Sequence, residues 1–192
     1  MSGKPVVVGL SGASGAIYCR ELLVALRQLD VPAWLVVTPA GLEVARLEHG
    51  LSLGDLAALA ERTFAADDIA APVASGSFPA RGMVVAPCSI KTLSAIANSY
   101  TENLLVRAAD VCLKEGRRLV LLVRETPLHA GHLELMLRAS RLGAVILPPM
   151  PAFYHHPATI DDLVRQVVGK ALDQLDIPHQ IFPRWNGPQV MV

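Results

Sequence analysis

The stretch that decides the fold is KPVVVGLSGASGA, residues 4–16. A run of β-branched residues ends at Leu10, and serine and glycine follow at once, which is the pattern of a fully buried strand turning into a helix. From Ala16 to Leu29, leucines then recur at helical spacing. A strand, a tight turn and a helix in this order indicate a parallel sheet, because parallel strands need a crossover connection between them.

Four more short apolar runs follow along the chain, with helical spacing between them. Strands are predicted at residues 4–10, 33–37, 83–86, 119–123 and 144–147, and helices at about 16–29, 39–48, 90–99, 102–115, 131–142 and 159–175. Pro87 is expected to end the third strand, and residues 63–81, rich in Gly, Ser and Pro, are expected to be irregular. The fold class is therefore α/β: a doubly wound, Rossmann-like parallel sheet in a three-layer α/β/α sandwich. We expect residues 1–192 to form a single domain, with a C-terminal tail from about residue 176.

Composition narrows the function classes. Lys plus Arg is 17 and Asp plus Glu is 17, and this neutral balance argues against general nucleic-acid binding. Zero net charge with 52% hydrophobic residues suggests that apolar surface is hidden in a homo-oligomer. No apolar run approaches the roughly 18 residues of a membrane helix, and residues 1–12 lack signal-peptide architecture. Cys19, Cys88 and Cys112 form neither a metal spacing nor a disulfide framework, so we expect a cytoplasmic protein.

Polar residues follow each predicted strand. They occupy positions 12–15, 38, 87–92, 124–126 and 151–156. Because ligands of parallel sheets bind outside the carboxyl ends of the strands, these segments are expected to meet at one ligand-binding edge.

Several of these segments have two interpretations each. The turn at 12–15 suits a phosphate held at a helix N-terminus, or simply a tight turn with a capping serine. Ser89 and Thr92 suit hydroxyl contacts to a phosphate or a flavin, or helix capping. Thr38 stands where NAD-binding proteins usually carry an acidic residue, which favours a mononucleotide.

A smaller number of charged residues are candidates for the ligand-binding site. Arg124 and Glu125 come directly after the fourth strand, where opposite charges are either paired or in use. Arg107 and Lys114 are seven residues apart and share a helix face, so with Arg124 and Lys170 they would form a cationic pocket for phosphate or pyrophosphate; a solvated basic stripe is the alternative. Neither the adjacent histidines at 155–156 nor any other spacing predicts a metal site, so none is expected.

The chain resembles the flavin prenyltransferase family, UbiX and its relatives that accompany aromatic-acid decarboxylases. The matching motifs are GLSGASGA (9–16), VASGSF (73–78), APCSIKTLSAIA (86–97), RAADVCLKEGRRLVLLVRETP (107–127), HLELML (132–137) and GAVILPPMPAFYHHP (143–157). The resemblance implies the Rossmann-like flavoprotein fold, which binds FMN. It also implies a metal-independent enzyme that transfers a dimethylallyl group from dimethylallyl phosphate or pyrophosphate to reduced FMN, with bond formation at the central flavin ring followed by ring closure onto the neighbouring carbon. It further implies a dodecamer, and a separate UbiD-type decarboxylase that receives the prenylated FMN.

The resemblance also assigns residues. Its flavin contacts would fall on Gly12, Ala13, Ser14, Thr38, Ser89, Ile90, Lys91, Thr92 and Arg124. Its prenyl-phosphate contacts would fall on Arg107, Lys114, Tyr154 and Lys170. Ser14 and Glu125 match positions that handle protons, and Glu48, which lies nearby, completes the catalytic candidates.

Two departures and two alternatives accompany this resemblance. Ile69 stands where many relatives carry an aromatic residue, and residues 128–131 replace a more hydroxyl-rich segment. An FMN-dependent cysteine-type decarboxylase is one alternative, although its strand-three motif is closer to PASANT than to PCSIKT. A non-catalytic flavin carrier is the other, and it would not need Glu125, Tyr154 and a group of cations.

Overall fold

The computed structural model describes residues 3–187, and a six-stranded sheet forms its centre. The strands are β1 Val6–Leu10, β2 Ala33–Val37, β3 Arg62–Ala65, β4 Gly82–Cys88, β5 Arg118–Val123 and β6 Ala144–Ile146. They lie in the order β3-β2-β1-β4-β5-β6, and every neighbouring pair is parallel. The predicted doubly wound parallel sheet is confirmed.

Helices cover both faces of the sheet. They are α1 Ala16–Gln28, α2 Pro39–His49, α3 Leu53–Ala57, α4 Ile90–Ala97, α5 Leu104–Lys114, α6 Ala130–Arg141 and α7 Ile160–Gln174, with a short 3₁₀ helix at Pro72–Ala74. Helix α1 packs against α2 and α7 on one face, and α4 packs against α5 and α6 on the other. Alternate residues of each inner strand enter opposite cores, so in β1 Val6 and Val8 face the first core and Val7 the second.

The polar residues that the sequence places at helix starts do cap the helices. Thr38 accepts a hydrogen bond from the Gly41 N–H at the start of α2. Ser52 and Asp55 form a reciprocal capping box on α3, as their spacing indicates. Helix α5 begins two residues later than predicted, because Asn103 caps it by accepting from the Val106 N–H at 3.0 Å.

Two sequence predictions about strands are wrong. Strand β3 lies inside the segment expected to be irregular; it is a four-residue edge strand in which only Phe64 is buried, so it lacks an apolar run. Strand β4 continues through Pro87 to Cys88. The proline is accommodated because the pairing with β5 shifts register between Val85 and Cys88, where no ladder N–H is required.

The strand order places the ligand edge. From β1 the chain passes to β2 and β3 on one side, and then returns to β4 on the other side of β1. The loops after β1 and β4 therefore diverge, and this topological switch point is where open α/β sheets bind their ligands.

Of the helices described between residues 3 and 187, none is long and apolar enough to span a bilayer.

Candidate active site

A cleft of about 1020 Å³ opens at the switch point. Its walls come from the loop after β1, the first turns of α2 and α4, the end of β3 and the segment before α5. Its lining residues include Gly12, Thr38, Ala40, Phe64, Asp67, Ser89, Lys91, Thr92, Glu102 and Asn103. Five of the nine predicted flavin contacts are in this set, namely Gly12, Thr38, Ser89, Lys91 and Thr92. The volume is at the upper end of the usual range for small-molecule sites.

The first turn of α4 is the strongest anion-binding feature of the cleft. Ser89 caps this helix by accepting from the Thr92 N–H at 3.3 Å, and its hydroxyl donates to Thr92 Oγ1 at 3.1 Å. The N–H groups of Ile90 and Lys91 donate to no partner among residues 3–187. Helix capping and phosphate binding are therefore compatible here, because the cap leaves two N–H donors at the positive end of the helix.

Ser11 braces the two loops that form the cleft, and sequence reasoning did not select it. Its buried hydroxyl donates to the Pro87 carbonyl at 2.8 Å and accepts from the Ser89 N–H at 2.9 Å. The two loops are 76 residues apart in the sequence. The sequence feature that could have identified Ser11 is its position directly after a buried strand at the switch point.

In the turn between β1 and α1, the N–H groups of Gly15 and Ala16 are not free to bind a phosphate. Gly15 caps α1 with a φ of 105°, a conformation that favours glycine. Its N–H and that of Ala16 both donate to Glu48 Oε2, at 2.9 and 3.2 Å. A carboxylate thus occupies the donors that a phosphate would use, so the structure favours the tight-turn alternative at 12–15.

Ser14 and Glu48, two of the three catalytic candidates, lie together beside this turn. Partial burial raises the pKa of Glu48, but hydrogen bonds from the Ser14 hydroxyl and from the Gly15 and Ala16 N–H groups, with the nearby His49, bring that pKa below its ordinary value. Glu48 is therefore a carboxylate at neutral pH, and it can accept a hydrogen bond from Ser14 or hold a proton only transiently.

Two acidic groups at the mouth of the cleft were also missed. Glu102 forms an ion pair with Lys91 at 3.2 Å, which joins the segment before α5 to the first turn of α4. Asp67 follows β3, so its position became visible only once that strand was recognised. Both carboxylates line the cleft and can accept hydrogen bonds from hydroxyl groups of a ligand.

Arg124 and Glu125 lie at the carboxyl end of β5, and of the two alternatives, an ion pair or a role in the site, the structure of residues 3–187 does not show the ion pair. Both are exposed, and no ion pair joins them within the described residues. Glu125 Oε1 accepts only from the neighbouring Thr126 N–H, at 3.0 Å. Arg124 lies near α1: burial raises the pKa of the Tyr18 phenol, and the positive charge of Arg124 opposes this rise. Glu125 is thus free to turn toward a ligand.

Arg107 and Lys114 do share a face of α5, and that face contacts the VASGSF segment. Arg107 donates to the Ala74 carbonyl at 3.1 Å and forms an ion pair with Asp110 at 3.2 Å. Lys114 pairs with Glu115, and its Nζ lies beside Gly76. The shared face is confirmed, but neither side chain lines the cleft.

Tyr154 and Lys170 form a separate group near the end of α7. Lys170 pairs with Asp173 at 3.6 Å, and Tyr154 packs against Trp185. Because α5 and α7 pack on opposite faces of the sheet, one chain does not bring Arg107 and Lys114 together with Lys170, and the expected cationic pocket stays a prediction. Helical spacing placed Arg107 beside Lys114 correctly, whereas the relative position of α5, α7 and the β5 loop depends on packing between elements.

The remaining candidates have structural explanations. Burial raises the pKa of the Cys88 thiol strongly, so this cysteine is not an activated nucleophile. Within the described range no group of three or more His, Cys, Asp or Glu residues is arranged to hold a metal ion.

The segment 128–131, one of the two departures from the family pattern, starts α6. His129 Nδ1 accepts from the Gly131 N–H at 3.1 Å, and the ring centroids of His129 and His132 lie 3.6 Å apart. Ile69 is 70% exposed and does not line the cleft.

Comparison with known proteins identifies close relatives over nearly the whole chain. The Flavoprotein family matches residues 1–172. The flavin prenyltransferase UbiX of Salmonella typhimurium is 57% identical over 187 residues, which are 96% of this chain and 99% of that protein. The UbiX of Thauera aromatica is 54% identical, over 95% of this chain and 94% of that protein.

Solved structures of UbiX-type proteins share the fold of this chain. A crystal structure of AnUbiX (PadA1) in complex with FMN and dimethylallyl pyrophosphate superimposes with a TM-score of 0.95 at 46% identity, covering 97% of this chain and 99% of that one. A dodecameric, FMN-dependent UbiX-like decarboxylase from Escherichia coli O157:H7 has a TM-score of 0.92 at 48% identity, covering 95% and 100%. The FMN-dependent cysteine decarboxylase TvaF has a TM-score of 0.64 at 15% identity, covering 91% and 97%, which shows a shared fold only.

Proposed function

Because this chain belongs to the Flavoprotein family and, within it, to the UbiX flavin prenyltransferases, we propose that it transfers a dimethylallyl group from dimethylallyl phosphate or pyrophosphate to reduced FMN. The observation that carries the proposal is the cleft of about 1020 Å³ at the switch point, whose walls contain five of the nine flavin contacts that the family resemblance assigns. The product is prenylated FMN, and a UbiD-type decarboxylase is its proposed recipient.

The cleft fits FMN on chemical grounds. Its walls include apolar side chains such as Val37, Leu42 and Phe64, which suit a flat aromatic ring. The unused N–H groups at the start of α4 and the hydroxyls of Ser89 and Thr92 suit a phosphate. Arg124 stands nearby, at the end of β5 and close to α1. When bound, reduced FMN supplies the nucleophile for the new bond.

Transfer begins when the C–O bond of the donor breaks and the phosphate leaves with the bonding electrons. Cationic side chains stabilise the negative charge that develops on this leaving group, and we assign that role to Arg107, Lys114 and Lys170, with Tyr154 donating a hydrogen bond. The dimethylallyl carbon would bond to the central flavin ring in place of the lost C–O bond, and closure onto the neighbouring ring carbon would release the proton of that carbon as aromaticity is restored. Glu125 is exposed and free of an ion pair within the described residues, so it is suited to take this proton, with Ser14 and Glu48 as the second proton-handling pair.

The four donor-binding candidates lie on two separate surfaces of one chain, away from the cleft. We therefore propose that a complete site forms at contacts between copies, in a homo-dodecamer like that of the Escherichia coli relative. Large apolar side chains that a monomer leaves exposed support this assembly, among them Leu133, Leu137, Met150 and Phe153, which are 51–69% exposed.

We also propose that the chain acts as one FMN-binding unit, 1–192 with its tail from about 176, in a reducing compartment such as the cytoplasm. The three cysteines are free and buried, and burial raises the pKa of Cys19 to about 12 and that of Cys112 to about 11. Such thiols are protonated and inaccessible to disulfide exchange.

The test is an anaerobic incubation of the protein with reduced FMN, EDTA and either dimethylallyl phosphate or pyrophosphate, followed by mass spectrometry of the flavin. We expect the flavin to gain one dimethylallyl group with at least one donor, and EDTA to have no effect. Bound FMN of unchanged mass with both donors would indicate a carrier, and loss of activity with EDTA that divalent ions restore would contradict the metal-independent mechanism.

Glu125→Gln tests the proton-handling role in the same assay. Glutamine keeps the size of the side chain and an oxygen acceptor for the Thr126 N–H, but it cannot take a proton. We expect FMN affinity and thermal midpoint to stay at wild-type values, while the single-turnover rate falls about 10²–10⁴-fold. A wild-type rate per bound flavin would remove Glu125 from the mechanism.

A further inference from the structure

The second half of α7 is packed directly against the residues that follow it. Gly169 faces the segment from His179 to Phe182 so closely that a Cβ added there would lie 2.3 Å from the Phe182 ring. The His179 side chain is fully buried, and its Nε2 is 2.9 Å from the Gly169 carbonyl. The tail, residues 176–187 of the described chain, therefore lies at a defined position on this helix.

Asp173 anchors the tail. Its two carboxylate oxygens accept from the Arg184 guanidinium at 2.7 and 3.1 Å, in a bidentate pair. Asp173 Oδ1 also lies 3.0 Å from His179 Nε2, and His179 Nδ1 lies 3.4 Å from the Ile181 backbone nitrogen, so the histidine ring connects α7 to the tail. The Arg184 hydrogen bonds hold the pKa of Asp173 below its usual range, although partial burial opposes them.

The Asp173 carboxylate contacts Lys170 directly and is linked indirectly to Tyr154, and these two residues are the predicted donor contacts near the end of α7. Lys170 lies one turn earlier on α7, and its Nζ is 3.6 Å from Asp173 Oδ2. Trp185 directly follows Arg184 and meets the Tyr154 ring edge-on, with 5.9 Å between ring centroids and an interplanar angle of 77°. Asp173 thus contacts Lys170 directly and is connected to Tyr154 through Arg184 and Trp185.

We propose that Asp173 is a positioning residue for the prenyl donor: it orients the Lys170 ammonium and, by fixing the tail, the Tyr154 hydroxyl. This role rests on the proposed function, which gives Lys170 and Tyr154 their contacts with the phosphate of the donor. Lysine is flexible, and ordering its side chain costs rotamer entropy. An ion pair that orders the side chain before the donor arrives lowers that cost at the moment of binding.

Asp173→Asn is the direct test, with Asp176→Asn as the matched control. Both changes remove one negative charge near the start of the tail, but the Asp176 side chain makes no hydrogen bond or ion pair within the described residues. We expect Asp173→Asn to raise KM for dimethylallyl phosphate about tenfold, as for one lost charge-assisted contact, with FMN affinity unchanged. Asp176→Asn should keep the wild-type KM.

A double-mutant cycle with Arg184→Gln separates positioning from general stabilisation, because the thermal midpoint of each variant is measured beside its KM. Arg184→Gln should also raise KM for the donor, by less, and the double variant should resemble Asp173→Asn alone, because both act through one ion pair. A lower thermal midpoint with unchanged donor KM, or equal losses of donor and FMN affinity, would overturn the positioning role. A wild-type protein that forms no product would instead overturn the proposed function and the role together.

Discussion

Single hydroxyl and carboxylate groups hold the switch-point cleft together. The Ser11 hydroxyl joins the loop after β1 to the end of β4, and Glu48 holds the first turn of α1 from the far end of α2. Neither contact involves neighbouring residues in the sequence. The Ser11 contact is buried, where a backbone group without a partner is costly, whereas the Glu48 contact is partly exposed.

Ser11→Ala should weaken both the fold and flavin binding. The change leaves the Pro87 carbonyl and the Ser89 N–H without their buried partner, which costs about 1–3 kcal/mol of unfolding free energy. It also frees the loop that presents the α4 N-terminus, so the dissociation constant for FMN should rise. Urea unfolding and flavin fluorescence titration measure the two effects.

Ser94→Ala is the matched control for that change. Ser94 lies on α4, and its hydroxyl makes no hydrogen bond among residues 3–187. We expect its stability to stay within about 0.5 kcal/mol of wild type. Equal behaviour of the Ser11 and Ser94 variants would contradict the bracing role.

The Glu48 contact should give a defined pH dependence. Its pKa is lower in the folded chain than the ordinary value of 4.5, so its contribution to stability is fully present above about pH 4.5 and is lost as pH falls through the folded pKa. Glu48→Gln removes this titration. The difference in unfolding free energy between wild type and variant should be constant near neutral pH and shrink below pH 4.5. A difference independent of pH down to 3 would show that the carboxylate charge does not stabilise the turn.

At the scale of elements, helix ends determine the site. The starts of α2 and α4 line the cleft, the start of α1 is capped by Glu48, and the end of α7 carries the tail. In each case the helix supplies unpaired backbone groups or a fixed face, and a loop residue completes the contact. This arrangement explains why the candidate residues fall in the first or last turns of helices.

Gly169→Ala should displace the tail from α7. Alanine is the better helix former by up to about 1 kcal/mol, but its Cβ would lie 2.3 Å from the Phe182 ring and 2.9 Å from His179. Overpacking of this kind typically costs about 1–3 kcal/mol, so the net effect should be a lower thermal midpoint. Gly54→Ala provides the comparison, because its Cβ would meet only Ser52 Oγ at 3.5 Å. Destabilisation by both substitutions, or by neither, would argue against close packing of the tail as the cause.

At the scale of the whole molecule, charge and surface both favour self-association. The net charge is zero, and exposed apolar side chains occur on α6, before α7 and in the tail. With no net charge to oppose contact, such surface favours association between copies. We expect light scattering at micromolar concentration to give a mass many times 20.5 kDa, with twelve copies as the expected assembly. A stable monomer with full prenyltransferase activity would refute the shared site.

Local sequence patterns are enough to predict the sheet class, five of the six strands, the main helices and the segments that surround the cleft. These features follow from local patterns: apolar runs make buried strands, leucine spacing makes helices, and hydroxyl or glycine residues mark their ends. Thr38, Ser89 and Thr92 were found in this way, because the carboxyl edge of a parallel sheet gathers whatever follows its strands. Strand β3 was missed because a short edge strand with one buried residue lacks such a pattern.

Packing between elements determines how the candidates are grouped. Glu48 accepts from Ser14, the Ser11 hydroxyl joins a loop 76 residues away, and Arg124 and Glu125 form no ion pair within the described residues. Helix α5, with Arg107 and Lys114, lies on the opposite face of the sheet from α7, with Lys170. The contact by which Asp173 anchors the tail likewise joins two separate elements of the structure. Periodicity describes one element at a time, whereas these contacts depend on how separate elements pack and on which buried backbone groups need a partner.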